Sequence, residues 1–311
     1  MWKRALVTGG AGFIGSHLAR ALLARGIEVV VLDDLSMGKA ENVPAGARLV
    51  RGDVRSAEDV AAALAGVDVV FHEAARVSIR ASIKEFYADA DCNFMGTLNL
   101  LRCLAGSEVR RLMFASSMAV YADSPTPSPI DENYLCEPLS PYGVAKLAAE
   151  KYCLQLSREL GIDCQVLRYF NTYGPGQTFT PYVGVITIFI RRLLAGQAPM
   201  IYGDGEQRRD FVHVDDVVAA NLLAMDGPSG SAVYNVGTGR ATSVNDIAAL
   251  LCARLAPGLV PEHVAPHAGE LRYSIADIGR LERALGYAPR AVMAEAMDAI
   301  IAHHRATAGA G

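Results

Sequence analysis

The chain is poor in the features that mark several large classes of protein. Its 311 residues hold one tryptophan and six cysteines, at positions 92, 103, 136, 153, 164 and 252, with no Cys-x-x-Cys pair among them. That spacing reads as neither a thiolate metal site nor a disulfide framework, and six reduced thiols suit a cytoplasm. The seven histidines show no ligand spacing, so no metal is expected; His303 and His304 read as a solvated pair. There is no long basic run and the net charge is −4, which argues against nucleic acid as a partner. Long hydrophobic runs are missing as well. The first, Ala5-Leu6-Val7, stops at Thr8-Gly9-Gly10, too short for a secretory signal, and no later one could span a bilayer. The expectation is a cytoplasmic protein without membrane contact.

What remains is ordinary for a soluble globular chain: 51% hydrophobic and 20% charged residues, enough for a large core. Residues 4–8 form a short apolar run, followed by Gly9-Gly10-Ala11-Gly12-Phe13-Ile14-Gly15 and a helical pattern through Leu18 and Leu22 to Gly26. Ile27 to Asp33 is then almost continuously apolar, as buried parallel strands are. Strand, glycine loop, helix and strand, with an acid 18 positions after Gly15, make a dinucleotide-binding unit. The glycines allow a tight turn and close approach of a pyrophosphate to a helix start. Asp33 is placed to accept from ribose hydroxyls and would repel a 2′-phosphate, so NAD is expected rather than NADP. The loop is spaced Gly-x-x-Gly-x-x-Gly, unlike the usual Gly-x-Gly-x-x-Gly.

The alternation continues along the chain. Strand-like runs at 47–50, 67–72, 111–117, 164–170 and 232–236 are separated by helical patterns at 56–65, about 82–105 and 142–160. The expected fold is α/β, a doubly wound parallel sheet of Rossmann type with a smaller C-terminal α/β unit. His72-Glu73 reads as a polar pair at a strand end and not as a ligand or base. Asp215-Asp216 reads as the cap of a helix running to Met225.

Tyr142 and Lys146 stand four apart on the helix that follows Pro141, and so share a face. A phenol ordinarily titrates near pH ~10. A neighbouring ammonium favours the phenolate, so the pair could transfer a proton.

Several stretches resemble the extended short-chain dehydrogenase/reductase family, in its nucleotide-sugar branch. They are Thr8 to Gly15, Leu32-Asp33-Asp34-Leu35, Gly52-Asp53-Val54-Arg55, His72-Glu73-Ala74-Ala75, Asn93 to Thr97, Ser116-Ser117, Tyr142-x-x-x-Lys146, Arg168 to Asn171 and Arg209 to Asp216. They run in that family's order over nearly the whole chain. The resemblance implies Ser117, Tyr142 and Lys146 as catalytic residues. It implies a cofactor site of Gly9, Gly12, Phe13, Ile14, Gly15, Asp33, Asp34, Asp53, Val54, Ala74 and Ala75, with Tyr142 and Lys146. It implies a sugar-nucleotide site of Ser117, Asn171, Arg209, Arg272 and Ser274. Residues 1–170 plus 211–240 would bind NAD, and residues 171–210 plus 241–305 the nucleotide-diphosphate sugar.

The branches of that family differ in the two residues after the serine, where dehydratases carry Asp-Glu and other branches a Glu or a Cys. Here they are Met118-Ala119, and neither can move a proton. The implied reaction is therefore 4-epimerisation through a transient 4-keto sugar. UDP-glucose and UDP-galactose are the expected substrates. Their N-acetyl forms would be admitted if Ser274 stands where relatives limited to glucose and galactose carry a Tyr. A net oxidoreductase that releases a keto sugar, or a non-catalytic NAD-binding scaffold, are the alternatives. Ala122, where most relatives have Gly, leaves the sugar open. The apolar residues Leu98, Leu100, Leu101 and Leu104, with Ala145, Leu147, Ala148, Tyr152 and Leu156, suggest a homodimer built on the helices they occupy.

Overall fold

The computed structural model describes residues 1–177, 184–266 and 271–308. Its first part is built of β1 (Arg4–Thr8), α1 (Phe13–Ala24), β2 (Glu28–Asp33), β3 (Arg48–Arg51), α2 (Ala57–Leu64), β4 (Val69–His72), α3 (Gly96–Leu104), β5 (Arg111–Ser117), α4 (Pro141–Glu159) and β6 (Asp163–Tyr169). After an excursion, α5 (Val214–Asp226) and β7 (Ala232–Val236) return to it. The seven strands form one parallel sheet in the order β7-β6-β5-β4-β1-β2-β3.

The strands read as apolar runs because both faces are covered. Ala5, Val7, Val69, Phe71 and Met113 face a core shared with Leu18 and Leu22 of α1 and Val217 and Ala220 of α5. The residues between them, Leu6, Val70, Leu112 and Phe114, face a second core with Val60, Leu100, Leu101 and Cys153 of α2, α3 and α4. This is the two-residue period of a strand written onto two helical layers.

The same alternation carries polar residues inward. Ser116 of β5 and Arg168 of β6 stand two and four places beyond residues of the second core, and so face α4. There Glu150, fully buried, accepts from Ser116 Oγ at 2.9 Å and from Arg168 Nε and Nη2 at 3.0 and 2.5 Å. Arg168 Nη1 donates to Tyr121 Oη at 2.9 Å, whose hydroxyl donates to Asn235 of β7 at 2.6 Å.

A third apolar cluster collects Tyr173, Ile186, Phe189, Ile190, Phe211, Ile247, Leu251, Met297 and Ile300, from residues 171–213 and the helices Val244–Leu255 and Met293–Ala308. Ala276, Ile278, Leu281 and Tyr287 pack with the first core instead.

Four local readings need correction. The helical pattern at 82–105 is broken into Ile79–Lys84, Phe86–Ala90, a wide π turn at Asp91–Met95, and α3. Within that turn Asn93 accepts from Arg76 N at 2.8 Å and donates to Arg76 O at 2.9 Å. Asp215 and Asp216 do not cap α5. The cap is His213, whose Nδ1 accepts from Asp215 N at 3.3 Å, while Asp216 accepts from the backbone of Arg290 and Ala291. His304 is buried rather than solvated, and burial holds its imidazole down near about 4. Leu100, Leu101, Leu104 and Ala145 are buried in their own subunit's core. The exposed apolar side chains of this region include Ile83, Phe86, Tyr87, Met95, Val144 and Tyr152 instead.

Glu150→Gln would leave the Arg168 charge buried without a counter-ion. It should cost about 3–5 kcal/mol in urea unfolding. Glu28→Gln, which removes the exposed partner of Arg4, should cost about 1 kcal/mol or less. Equal losses in the two variants would show that the buried pair carries no special weight.

Candidate active site

β1 has β2 on one side and β4 on the other, so the chain reverses direction across the sheet at β1. A crevice opens at such a point, beyond the carboxyl ends of the strands. The glycine loop fills its floor. Gly9 is left-handed at φ +68, and a Cβ on it would stand 2.7 Å from Ala74 N; one on Gly15 would stand 2.4 Å from Gly9 O. Side chains are therefore excluded where loop, helix and the Ala74-Ala75 strand end press together. Helix α1 starts at Gly12 with no side-chain cap and no acid in its first turn, which leaves its first N–H groups suited to an anion.

Asp33, at the end of β2, is buried. Its Oδ2 accepts from Ala11 N and its Oδ1 from Leu35 N, both at 2.9 Å. Leu35 is held left-handed at φ +63 in the process. Burial raises the pKa of Asp33 and the two backbone bonds oppose that rise. Each carboxylate oxygen retains acceptor capacity for a ribose hydroxyl. Asp34 is exposed and accepts from Ser36. Asp53 pairs with Arg55, which holds its carboxyl below the usual range, and Val54 is buried beside it. Phe13 and Ile14 open α1, while Ala74 and Ala75 lie half-buried on the opposite wall. An uncapped helix start with a carboxylate at the next strand end fits a dinucleotide.

Tyr142 and Lys146 stand on the first turns of α4. Ser140 caps that helix by accepting from Gly143 N at 3.1 Å, and Pro141 opens it. A Cβ on Gly143 would stand 2.2 Å from Ala119 O, so only glycine lets the helix start pack against the turn that follows β5. That contact brings Tyr142 near Ser117, whose hydroxyl acts to lower the phenol's pKa. Lys146 Nζ donates to Ala115 O at 2.9 Å.

The electrostatics differ from the reading that Lys146 lowers the phenol's pKa. Burial pushes Tyr142 up to about 12. The Ser117 hydroxyl pulls the other way, and Asp89 and Glu73 add to the rise. Burial likewise lowers Lys146. His72 is buried between Thr8 Oγ1 at 2.7 Å and Thr97 Oγ1 at 3.0 Å, and burial keeps it neutral, down near about 3. It joins β4 to β1 and α3.

The remaining expected residues lie on the second part of the molecule. Arg209 and Ser274 pair in register on a small sheet. Arg209 donates to Leu271 O and Arg272 O at 2.5 and 3.3 Å, while Arg272 turns to Asp204 at 2.7 Å. A cavity of about 460 Å³ opens beside them, lined among others by Tyr202, Gln207, Leu271 and Arg272. Asn171 donates to Asp210 O at 3.1 Å. Ser274 is buried, with no partner for its hydroxyl among the described residues. Residues 181–183 of the expected sugar-nucleotide unit lie outside the described residues. Residue-level reading took Glu73 as a strand-end polar residue and passed over Asp89; both are buried or half-buried acids that act to raise the pKa of Tyr142.

Comparison with known proteins agrees with this geometry. Residues 5–237 match the model of the NAD dependent epimerase/dehydratase family. A putative UDP-glucose 4-epimerase of Methanocaldococcus jannaschii is 37% identical, with 95% of this chain and 96% of that one covered. The UDP-glucose 4-epimerase of Thermotoga maritima, solved with UDP-glucose, is 38% identical with a TM-score of 0.93 over 98% of this chain and 99% of that one. That of Thermus thermophilus, solved with NAD, is 38% identical with a TM-score of 0.89 over 97% and 99%.

If Asp33 holds the ribose, Asp33→Ser should weaken NAD by about tenfold or more, since hydrogen bonds to a charged group contribute about 1.5–3 kcal/mol. NADP should gain relative to NAD. Calorimetric titration with both dinucleotides reads this, and an unchanged ratio would remove Asp33 from the role.

Proposed function

Because the chain belongs to the NAD-dependent epimerase/dehydratase family, we propose that it interconverts nucleotide-diphosphate sugars at C4, with NAD as cofactor and Tyr142 as acid and base. The observation that carries this reading is the grouping of Ser117, Tyr142 and Lys146 at the end of β5, beside Met118 and Ala119, which offer no second acid.

NAD, held by the glycine loop, the start of α1 and Asp33, supplies a hydride acceptor and, when oxidised, a positive charge that favours a nearby phenolate. Tyr142 removes the proton of the sugar 4-hydroxyl and later returns one. Ser117 orients that hydroxyl. Lys146, fixed by Ala115 O, stands one turn along the same helix and would hold the cofactor's ribose. With Met118 and Ala119 following Ser117, no group is in place to eliminate water or to move a proton elsewhere on the ring. The transient 4-keto sugar can therefore only be reduced again, on either face. Arg209, Arg272 and Asn171 grip the diphosphate, a task that suits guanidinium.

Residues 1–170 plus 211–240 form the cofactor unit of this reading, and residues 171–210 plus 241–305 the sugar-nucleotide unit. UDP-glucose and UDP-galactose are the substrates, and the small Ser274 leaves room for an N-acetyl group at C2. Two copies associate through the helices that expose Ile83, Phe86, Tyr87, Met95, Val144 and Tyr152. Six cysteines without disulfides, and no helix among the described residues long and apolar enough to cross a membrane, suit a cytoplasmic enzyme.

The test is a panel of UDP-, dTDP- and GDP-sugars assayed for C4 epimers, with absorbance followed at the reduced-nicotinamide band. Epimers should form without net reduction; a steady rise of that band with turnover would mean a net oxidoreductase, and no turnover a scaffold. Tyr142→Phe should keep NAD and lose about 10²–10⁴ in rate. Ser274→Tyr should lose the N-acetylated substrates alone, since overpacking costs about 1–3 kcal/mol; equal losses on all sugars would place the gate elsewhere. Light scattering should give a dimer mass at micromolar concentration, and a monomer mass would remove the proposed interface.

A further inference from the structure

Glu73 follows the last residue of β4 and precedes the Ala74-Ala75 wall of the cofactor crevice. Its Oε1 accepts from Tyr169 Oη at 2.8 Å, and Tyr169 Oη accepts from Asn221 Nδ2 of α5 at 2.7 Å. Tyr169 ends β6. In the sheet β5 lies between β4 and β6, so a bond from the end of β4 to the end of β6 must cross the end of β5. That end carries Ser116 and Ser117. The carboxyl is thus held, by a two-bond strut anchored on α5, over the rim from which Ser117 and Tyr142 act. Strands stand ~4.8 Å apart, so the two long side chains span the gap of ~10 Å between them.

We propose that Glu73 is a positioning residue of the epimerisation, whose charge, held across the end of β5 by Tyr169, opposes the negative charge of the Tyr142 phenolate and so governs when Tyr142 can act as a base. The inference rests on the reading of Tyr142 as acid and base.

The charged and titratable groups around this rim are few. Lys146, on the helix of Tyr142, stabilises the Glu73 carboxylate, and Glu73 in turn favours the Lys146 ammonium. Asp89, from the short helix Phe86–Ala90, acts on Tyr142 in the same direction as Glu73. It is buried, which raises its pKa, while its hydrogen bond with Asn93 pulls the other way; Glu73→Gln and Tyr169→Phe both leave it in place. Cys92 faces Lys146, and burial keeps it a thiol. His72 is neutral. Glu73 is the acid of this group placed to change charge near neutrality: burial raises it to about 7, against the pull of Tyr169 and Lys146.

The sign follows from these interactions. Below about pH 7 Glu73 is neutral and does not oppose the phenolate. Above it the carboxylate forms and Tyr142 holds its proton more tightly. Glu73→Gln stays neutral at every pH.

The test uses NAD-loaded protein carrying tyrosine labelled at Cζ, with Tyr142 assigned by its loss in Tyr142→Phe. Carbon NMR against pH reads the phenol directly and does not depend on turnover; the pH profile of epimerisation is the second readout. Glu73→Gln should shift the ionisation of Tyr142, and the acidic limb of the rate profile, down by about 1 pH unit. Tyr169→Phe removes a bond that favours the carboxylate, so it should shift the limb in the same direction by less. Glu73→Asp, which restores the charge, should move it back toward wild type. A Tyr142 titration unmoved in both Glu73→Gln and Tyr169→Phe overturns the proposal. So does a Glu73→Gln enzyme slowed equally at all pH values with its limb in place, which would mark a purely structural role. Should Glu73→Gln not fold, Tyr169→Phe decides alone. A wild type inactive on every sugar would count against the epimerase reading while the phenol titration still judged Glu73.

Discussion

The buried pair of Glu150 and Arg168 is the constraint on which the reactive geometry depends. Two charges taken out of water cost several kcal/mol each unless their partners are complete. Here they are: both carboxylate oxygens are used by Arg168, Ser116 shares one, and the guanidinium continues to Tyr121 and to Glu132 O. A hydrophobic contact would resist sliding only weakly, because dispersion is not directional. A forked ion pair fixes both distance and rotation. Glu150 is one turn beyond Lys146 and two beyond Tyr142 on the same helix. Ser116, its third partner, is next to Ser117. The pair thus locks the helix carrying the phenol to the strand carrying the serine.

Burial is the second constraint, and it works against the chemistry that the locked geometry serves. The phenol, the ammonium and the Glu73 carboxyl share one poorly solvated rim, and in each the charged form is disfavoured. Favourable pairs in such a place must recover what desolvation takes. Lys146 is tied to a backbone carbonyl and lies 5.1 Å from the ring centroid of Phe114, a contact that stabilises a cation. At Tyr142 the Ser117 hydroxyl works against burial and two carboxyls. Burial and the two carboxyls outweigh the Ser117 hydroxyl and favour the protonated phenol; in the proposed reading the positive charge of the oxidised cofactor would favour the phenolate. A base that stays protonated until its cofactor is bound cannot act on a sugar out of turn.

The layered sheet was legible because each strand is buried on both faces and each helix turns one face to it. Runs such as Val29-Val30-Val31-Leu32 admit no other reading once a glycine loop precedes them. Two members of the proposed catalytic trio stood out in the sequence because they are four apart on a helix. What was not legible depends on contacts between residues far apart in sequence. Asp215-Asp216 has the composition of a cap, but capping is decided by backbone angles at one residue, and His213 holds them. His304 falls on the inward face of a helix whose neighbours lie a hundred residues away. Glu73 looked like a strand-end acid because its partner, Tyr169, is 96 positions distant. Arg272 was assigned from its flanking motif, and in the protein alone its guanidinium is turned to Asp204.

The stretch Arg209-Asp210-Phe211 shows how one motif can carry two jobs. Asp210 is fully buried, and its carboxylate accepts from Thr238 N and Oγ1, Gly239 N and Ala276 N at 2.7 to 3.2 Å. Four donors on one carboxylate offset the burial that raises its pKa. Three segments meet there: the strand of Arg209, the turn after β7, and the strand that ends at Ser274. A carboxylate in this position sets where Arg209 stands relative to the sheet's rim, because its backbone N–H and C=O also bond Ser274 O and Asn171 N. Recognition of a diphosphate needs guanidinium groups placed to within a fraction of an ångström, and long side chains on a small two-residue strand cannot supply that themselves. In the role proposed for Arg209, the buried acid next in sequence would supply that precision by fixing the backbone from which the guanidinium reaches.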